Sequence, residues 1–351
     1  MEDKFDLNEY INDKNKAEKM IKDLNLEEAK KFLEDLVSKY SSNAEIYDLY
    51  SEVLISLDYT KEAKKAIEKS IKLDPNSSAD KYMTLGQLTE DPKKKRDNYL
   101  KGIEVYKYKL DLLSSFNKNK NNLNMESLHK DILNTDTELH IRHALSSALS
   151  SVAEIYMTTY LCDEPNAENT CEEVLKEAIT ICDDNPDVLI QYSNLRILRK
   201  KDSEAQKFMD KAFNIIINNQ NSEFFPDCEI ICNLAKNYSE LGNYYQAIKL
   251  LDIITQLDEH NSEYWYLLAF NHFNIKNYLH SSTCMERLKQ VINENKEIDD
   301  ELSIAVSELE NELKKIEKKE GELKNSIFEQ EENGSGKEEC ISNGNSMIID
   351  D

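Results

Sequence analysis

Apolar residues recur along most of the chain at three- and four-residue spacings, and the pattern restarts about every 34 residues. It is sharpest over residues 228–288. The stretch from Cys228 to Asn261 reads CEIICNLAKNYSELGNYYQAIKLLDIITQLDEHN, and a second block, SEYWYLLAFNHFNIKNYLHSSTCMERLKQ, starts at Ser262. Ile231, Leu234, Ala235, Tyr238, Ala247, Leu251 and Ile254 of the first block have Trp265, Leu268, Ala269, His272, Ser281, Met285 and Leu288 as counterparts in the second. The early members of each set share one face of a first helix, and the later ones share a face of a second. The small residue at the twentieth place, Ala247 or Ser281, marks where the two helices cross closely.

A helix–turn–helix unit of that period is the pattern of the tetratricopeptide repeat. One unit cannot bury its apolar face alone, so such units stack into a superhelical solenoid with a concave groove. Residues 44–77, AEIYDLYSEVLISLDYTKEAKKAIEKSIKLDPNS, form another good unit, with Tyr47, Tyr50, Leu54, Ala63, Ile67 and Ser70 at the interface places and Pro75 closing it. A unit from Ala79 has Tyr82, Leu85 and Gly86 on its first helix, and its second helix starts at Pro92. Residues 139–183 form a unit with an unusual turn, LCDEPNAENTC, and residues 186–219 form one with Leu189, Tyr192, Ala205, Met209 and Ala212 inward. Upstream, Ala29, Leu33 and Leu36 share one face of a helix over 26–40.

The expected architecture is all-α, a solenoid of six or seven repeats. Residues 1–43 are read as N-terminal helices, a degenerate repeat or cap. The solenoid runs over 44–292, with a polar Asn/Lys-rich insertion loop at 114–136. A capping helix within 293–320 presents Leu302, Ala305, Val306, Leu309 and Leu313, and an acidic tail at 321–351 is expected to be disordered.

Composition agrees with this. The 351 residues include 7 Gly and 5 Pro, few for a sheet-rich fold. The formal net charge of −24 disfavours nucleic acid and anionic membranes as direct partners and favours a basic one. No apolar run approaches the ~20 residues of a membrane span. MEDKFDLNEY is charged from the outset, unlike a secretory leader, and 7 Cys without framework spacing suit a reducing compartment. A monomer is the expected state. The cluster Lys93, Lys94, Lys95 and Arg96 reads as a solvated helix face, with a nuclear import signal as the alternative.

Candidate catalytic chemistry is sparse. No phosphate-cradling glycine loop or nucleophile elbow is present. Cys228 and Cys232 share a helix face without further ligands, and Cys162, Cys171 and Cys182 flank one turn without a fourth. No cofactor, no metal and no enzymatic activity are expected.

Function is therefore sought in the groove, lined by places two, five, nine and twelve of each first helix. These give Glu45, Asp48 and Glu52 in the 44–77 unit, Asp187, Ile190 and Asn194 in the next well-formed one, Glu229, Cys232 and Lys236 after that, and Glu263, Tyr266, Phe270 and Phe273 last. Glu154 falls on the free side of its helix. Carboxylates there suit guanidinium and ammonium groups, and aromatic faces suit arginine. Repeats that clamp the C-terminal carboxylate of Hsp70- or Hsp90-type chaperones use Lys at place five and Asn at place nine. Asp48 and Glu52, or Cys232 and Lys236, stand there instead, which disfavours that class.

The run AEIYMTTYLCDEPNAENTCEEVLKEAI, Ala153 to Ile179, resembles the signature of the tetratricopeptide proteins that act as dedicated assembly chaperones of large-subunit ribosomal protein four. The matching residues are Ala153, Glu154, Ile155, Tyr156, Met157, Thr158, Leu161, Cys162, Glu164, Pro165, Ala167, Glu168, Cys171 and Glu172, with Tyr160 breaking the run. RDNYLKGIEVY from Arg96 and YWYLLAF from Tyr264 are similar too. The resemblance implies capture of the client's long basic internal loop, in the cytoplasm, and escort to ribosome assembly in the nucleus. A general scaffold or adaptor that holds another basic or extended peptide is the alternative. A chaperone of histones or other basic proteins acting through the acidic tail alone is a third reading.

Overall fold

The computed structural model describes residues 7–118, 138–158, 160–295 and 299–334, with side chains at 7–115, 138–158, 161–294 and 299–319. Among these residues there are helices and no strands. Fifteen α-helices form seven consecutive pairs and one further helix. The pairs are α1 (Leu7–Lys22) with α2 (Leu26–Lys39), α3 (Ala44–Ser56) with α4 (Thr60–Leu73), α5 (Asp80–Gln87) with α6 (Pro92–Lys118), α7 (Glu138–Thr158) with α8 (Ala167–Ile181), α9 (Pro186–Leu198) with α10 (Asp202–Asn218), α11 (Cys228–Glu240) with α12 (Tyr244–Leu257), and α13 (Ser262–Asn274) with α14 (Tyr278–Asn295). The last helix is α15 (Asp300–Gly334), and a 3₁₀ turn, Tyr160–Asp163, separates α7 from α8. The chain divides into two compact units, Met1–Ile230 and Ile231–Asp351.

In the first unit the core is continuous from α5 to α9. Tyr82, Tyr99, Ile103, Leu145, Leu149, Val152, Leu175 and Tyr192 are among its buried members. A second cluster joins α1, α2 and α3 through Tyr10, Ala17, Ala29, Leu33, Leu36 and Ile46. Ala17 and Ala29, both fully buried, lie 34 places before Ser51 and Ala63. In the second unit Ile231, Leu234, Ala235, Tyr238, Ala247, Leu251 and Ile254 are all buried, as are Leu268, Ala269, Ser281, Met285 and Leu288. Their counterparts Trp265 and His272 are only half-buried. The small residues at place twenty, Ala63, Ala205, Ala247 and Ser281, are completely enclosed. The Ser281 hydroxyl stays satisfied by donating to the Ala269 carbonyl at 2.8 Å.

Five of the turns between paired helices share one geometry. A residue of positive φ closes each first helix: Leu24, Asp58, Lys200, Gly242 and Lys276. The amide of that residue and the next both fold back onto the helix. Asp58 donates to Ile55 and Tyr59 to Leu54, Gly242 to Ser239 and Asn243 to Tyr238, and Lys276 to Phe273 and Asn277 to His272. These bonds satisfy helix-end carbonyls that would otherwise be orphaned.

Two expected boundaries shift. Ser114 to Lys118 belong to α6 rather than to a loop, because Leu113 keeps the helix's inner face buried almost to its end. The rest of the predicted insertion lies outside the described residues. The C-terminal helix does not stop at 320. It runs to Gly334 because Glu, Lys, Leu and Gln are good helix formers and no proline intervenes. Residues 335–351 of the predicted tail lie outside the described residues. Within the second unit Val306, Leu309 and Leu313 bury the stripe of α15, which packs beside α13 and α14.

Candidate partner-binding surface

Three of the first helices start with the same local device. The Asn43 side chain accepts from the Ile46 amide at 3.3 Å, Asn185 from the Asp187 amide at 3.0 Å, and Asn261 from the Glu263 and Tyr264 amides at 3.0 and 3.4 Å. Asparagine is a favoured residue for capping the unsatisfied first amides of a helix. α11 instead starts after Asp227. Two residues beyond each start comes an acid: Glu45, Asp187, Glu229 and Glu263. A carboxylate in the first turn is favoured by the partial positive charge of the helix N-terminus. The rule that starts these helices thus repeats a carboxylate at place two.

The four equivalent acids meet different neighbours. Glu45 accepts from the Tyr10 hydroxyl at 2.5 Å and from Lys14 Nζ at 2.8 Å. Surrounding protein strips water from its carboxyl and raises it, but Lys14 and Tyr10 outweigh this and hold it below the usual range. In the second unit Glu263 pairs with Lys236 at 2.8 Å. Asp187 meets no such lysine. Ser147 Oγ donates to it at 3.2 Å, and its carboxyl is pushed up to about 6 by burial, with the charge of Asp227 adding to the rise and Ser147 opposing it. Glu229 is exposed and acts on exposed Glu154, whose carboxyl is raised first by loss of water, then by Glu229, against the pull of Lys95.

The other predicted residues divide similarly. Asp48 lies 3.2 Å from Lys81 Nζ, and Lys81, 5% exposed, also donates to Ser70 Oγ at 2.8 Å and to the Asp74 carbonyl at 3.2 Å. Glu52 is exposed on the same helix. Asn194 is half-buried, its amide donating to Gln191 Oε1 at 3.2 Å. Tyr266 and Phe270, half-buried in the second unit, stand 6.2 Å apart with tilted rings, and burial followed by Glu308 raises the Tyr266 phenol. Ile190 and Cys232, read as groove-lining, are each 1% exposed and belong to the core. α9 buries Val188, Leu189 and Ile190 in succession and α11 buries Ile231 and Cys232, so place five is enclosed on both helices.

Of the lysines that neutralise these acids, Lys236 is read from the sequence as groove-lining but not as the partner of Glu263, and Lys14 is not singled out. Their signal is positional: Lys14 is at place five and Lys236 at place nine of a first helix once the 34-residue register is extended to residue 10. A second unforeseen feature lies within the signature stretch. Glu172 accepts from Lys176 and from Arg196, each at 2.8 Å, and pairs with Arg199; together they hold its carboxyl far below the usual range. Arg199 also meets Glu168, and Arg196 donates to the Tyr192 hydroxyl. Of the basic cluster, Arg96 and Lys93 reach Glu164 at 3.5 and 3.8 Å. Burial pushes the thiols of Cys171 and Cys182 up to about 11. Among the described residues no group of three or more potential ligands is placed to hold a metal ion, and no helix is long and apolar enough to cross a membrane.

The tetratricopeptide-repeat family model matches residues 44–77. The fold is an all-α tetratricopeptide-repeat solenoid. A probable assembly chaperone of rpl4 from Schizosaccharomyces pombe is 24% identical over 231 residues, covering 64% of this chain and 62% of that relative's length. Among solved structures, the assembly chaperone of RpL4 (Acl4, residues 1–338) superposes with a TM-score of 0.65 at 18% identity, over 77% of this chain and 98% of that one. The Cut9 and Hcn1 hetero-tetramer of the APC/C gives 0.50 at 13% identity, over 79% and 44%. At these identities the structural likeness speaks for the fold.

Proposed function

We propose that the chain is a binding protein rather than an enzyme, a chaperone that holds a basic segment of large-subunit ribosomal protein four until ribosome assembly. The kind of partner comes from the relatives: the Schizosaccharomyces pombe protein is named for assembly of rpl4. Support for a basic partner comes from one observation on this chain. After burial, the charge of Asp227 raises the carboxyl of Asp187, and that of Glu229 raises the carboxyl of Glu154. Bringing like charges together costs free energy that a bound cation would recover.

In this reading the first unit offers Glu52, Glu154, Asp187, Asn194 and Glu229, and the second unit, taken by itself, offers Tyr266 and Phe270. The carboxylates take Lys and Arg side chains, and the rings take apolar or guanidinium groups. Binding masks a charge that would otherwise seek nucleic acid. The client is met in the cytoplasm and released in the nucleus.

The test is co-purification of the tagged chain from cell extract at low and high salt, with mass spectrometry of what remains bound. One dominant salt-sensitive partner, ribosomal protein four of the large subunit, is the expected result. A stable complex lacking that protein, or a broad set of partners, overturns the reading.

A further inference from the structure

The carboxylates at place two are equivalent by repeat register but not by accessibility to a cation. Glu45 already holds an ammonium group and a phenol, Lys14 Nζ at 2.8 Å and Tyr10 Oη at 2.5 Å, both from the preceding first helix. Glu263 holds an ammonium group, Lys236 at 2.8 Å, again from the preceding first helix. At Asp187 the preceding first helix offers Ser147, a neutral hydroxyl. Before Glu229, place nine carries Asn194, where the following repeat carries Lys236. The pairing is specific in geometry. Lys14 also lies 3.9 Å from Glu18 on its own helix, yet its short contact is with Glu45 across the repeat boundary. Tyr10 is 8% exposed and packs edge-on against Tyr40 at 5.3 Å, so the helix that presents Lys14 is held in place.

We infer that Lys14 and Lys236 are built-in counter-ions that decide which of the repeated carboxylates a basic partner can use. An ammonium group already seated on Glu45 or Glu263 must be displaced before a partner's lysine or arginine can bind there. Asp187 and Glu229 need no displacement, because the preceding first helix offers Ser147 to the one and carries Asn194, not a lysine, at place nine before the other. The partner's cations are thereby confined to the surface supplied by α7, α9 and the start of α11. The lysines set the register of a basic segment without touching it. This inference rests on the basic-partner reading above.

The experiment is fluorescence anisotropy of a labelled peptide of about twenty residues, rich in Lys and Arg, titrated with the full-length chain at several salt concentrations. Lys14→Met and Lys236→Met each remove one resident counter-ion. Exposed pairs of this kind are worth about 0.2–1 kcal/mol, so each variant should tighten Kd by roughly 1.4- to 5-fold at low salt. The dependence of Kd on salt should steepen, since one more ion pair forms. Asn194→Lys, which installs the missing lysine, should weaken binding by a similar factor. Lys207→Met serves as the control: Lys207 is exposed on α10 and its loss changes net charge equally. Equal tightening by Lys207→Met overturns the inference in favour of net charge alone. Binding by the wild-type chain with unchanged Kd in all variants overturns the inference and leaves the basic-partner reading standing. Failure of every protein to bind overturns both. Thermal unfolding of each variant identifies any loss of fold.

Discussion

Lys81 Nζ lies 3.2 Å from Asp48 Oδ2, and its ammonium group is almost wholly enclosed while the carboxylate side chain is 36% exposed. Asp48 therefore answers a buried charge of its own chain. Breaking a fully buried pair costs ~3–5 kcal/mol because one charge is left uncompensated. Partial exposure of Asp48 reduces this, and Asp48→Lys is expected to lower unfolding stability by about 2 kcal/mol. Glu52→Lys, one turn away and exposed, should stay within about 0.5 kcal/mol of wild type. Urea unfolding of the two variants checks this. Partner binding is then better probed at Glu154 and Glu229 than at Asp48.

Burial pushes the Asp187 carboxyl up to about 6 from an ordinary 3.8, with Asp227 adding to the rise and Ser147 opposing it. A carboxyl whose folded value is raised contributes stability that is present below 3.8 and lost as pH rises through about 6. Asp187→Asn keeps an acceptor for Ser147 and removes the charge. It should unfold at a higher temperature than wild type at pH 7.5, by the equivalent of about 1–2 kcal/mol, and match it near pH 4. The same ionisation predicts that affinity for a basic peptide rises from pH 5 to pH 7 in the wild type and less so in Asp187→Asn.

His143 has the opposite sign. Its ring stacks on Phe224 at 4.4 Å, its Nε2 is buried without a hydrogen-bond partner, and burial lowers its basicity below 6.5, with His140 adding to this and Asp184 opposing it. A histidine lowered on folding gives full stability above about 6.5 and loses it as pH falls. His143→Phe removes that loss. Relative to wild type it should gain stability as pH falls from 7 toward 5, whereas the advantage of Asp187→Asn shrinks over the same range. Thermal unfolding across pH separates the two.

The helix-closing residues supply a third check. Asp58, Lys200 and Lys276 adopt φ of 62°, 56° and 63°, and Gly242 adopts 75°. Left-handed backbone costs a residue with a side chain ~1–2 kcal/mol, partly offset in glycine by greater chain entropy when unfolded. Each of Asp58→Gly, Lys200→Gly and Lys276→Gly should raise stability by about 0.5 kcal/mol, and Gly242→Ala should lower it by about 1 kcal/mol. Gly86→Ala should destabilise for a different reason. A Cβ there would sit 2.2 Å from the buried Tyr99 ring, and overpacking costs ~1–3 kcal/mol. Denaturant midpoints decide both.

Much of the fold was legible because its cause is local. Ala29 and Ala63, and again Ala247 and Ser281, stand 34 residues apart since helices crossing at that point exclude anything larger, and that exclusion is visible in a single chain. The site was less legible. Glu45, Asp187, Glu229 and Glu263 could be found from register, but register does not say what the neighbouring repeat supplies. Lys14 and Lys236 are separated from their partners by about a repeat and stand at different places of it, five and nine, so no single repeated position marks them. Ile190 and Cys232 were misplaced because the number of faces a helix buries depends on its neighbours in space. The length of α15 was missed for a simpler reason: a polar, helix-favouring composition resembles that of a disordered segment.

Repeat chains are commonly treated as modular, with single units free to be added, removed or exchanged. The ionic knot of Glu172 with Arg196 and Arg199 limits that freedom here. Glu172 belongs to α8, whereas Arg196 lies in the last turn of α9 and Arg199 caps its end, on the far side of the boundary. Asn185, at the same boundary, donates to Ser146 and Ser147 of α7 at 2.7 and 2.9 Å. A cut between Ile181 and Pro186 would strand two guanidinium groups and one carboxylate together. A block transplanted across this seam must keep α7, α8 and α9 together.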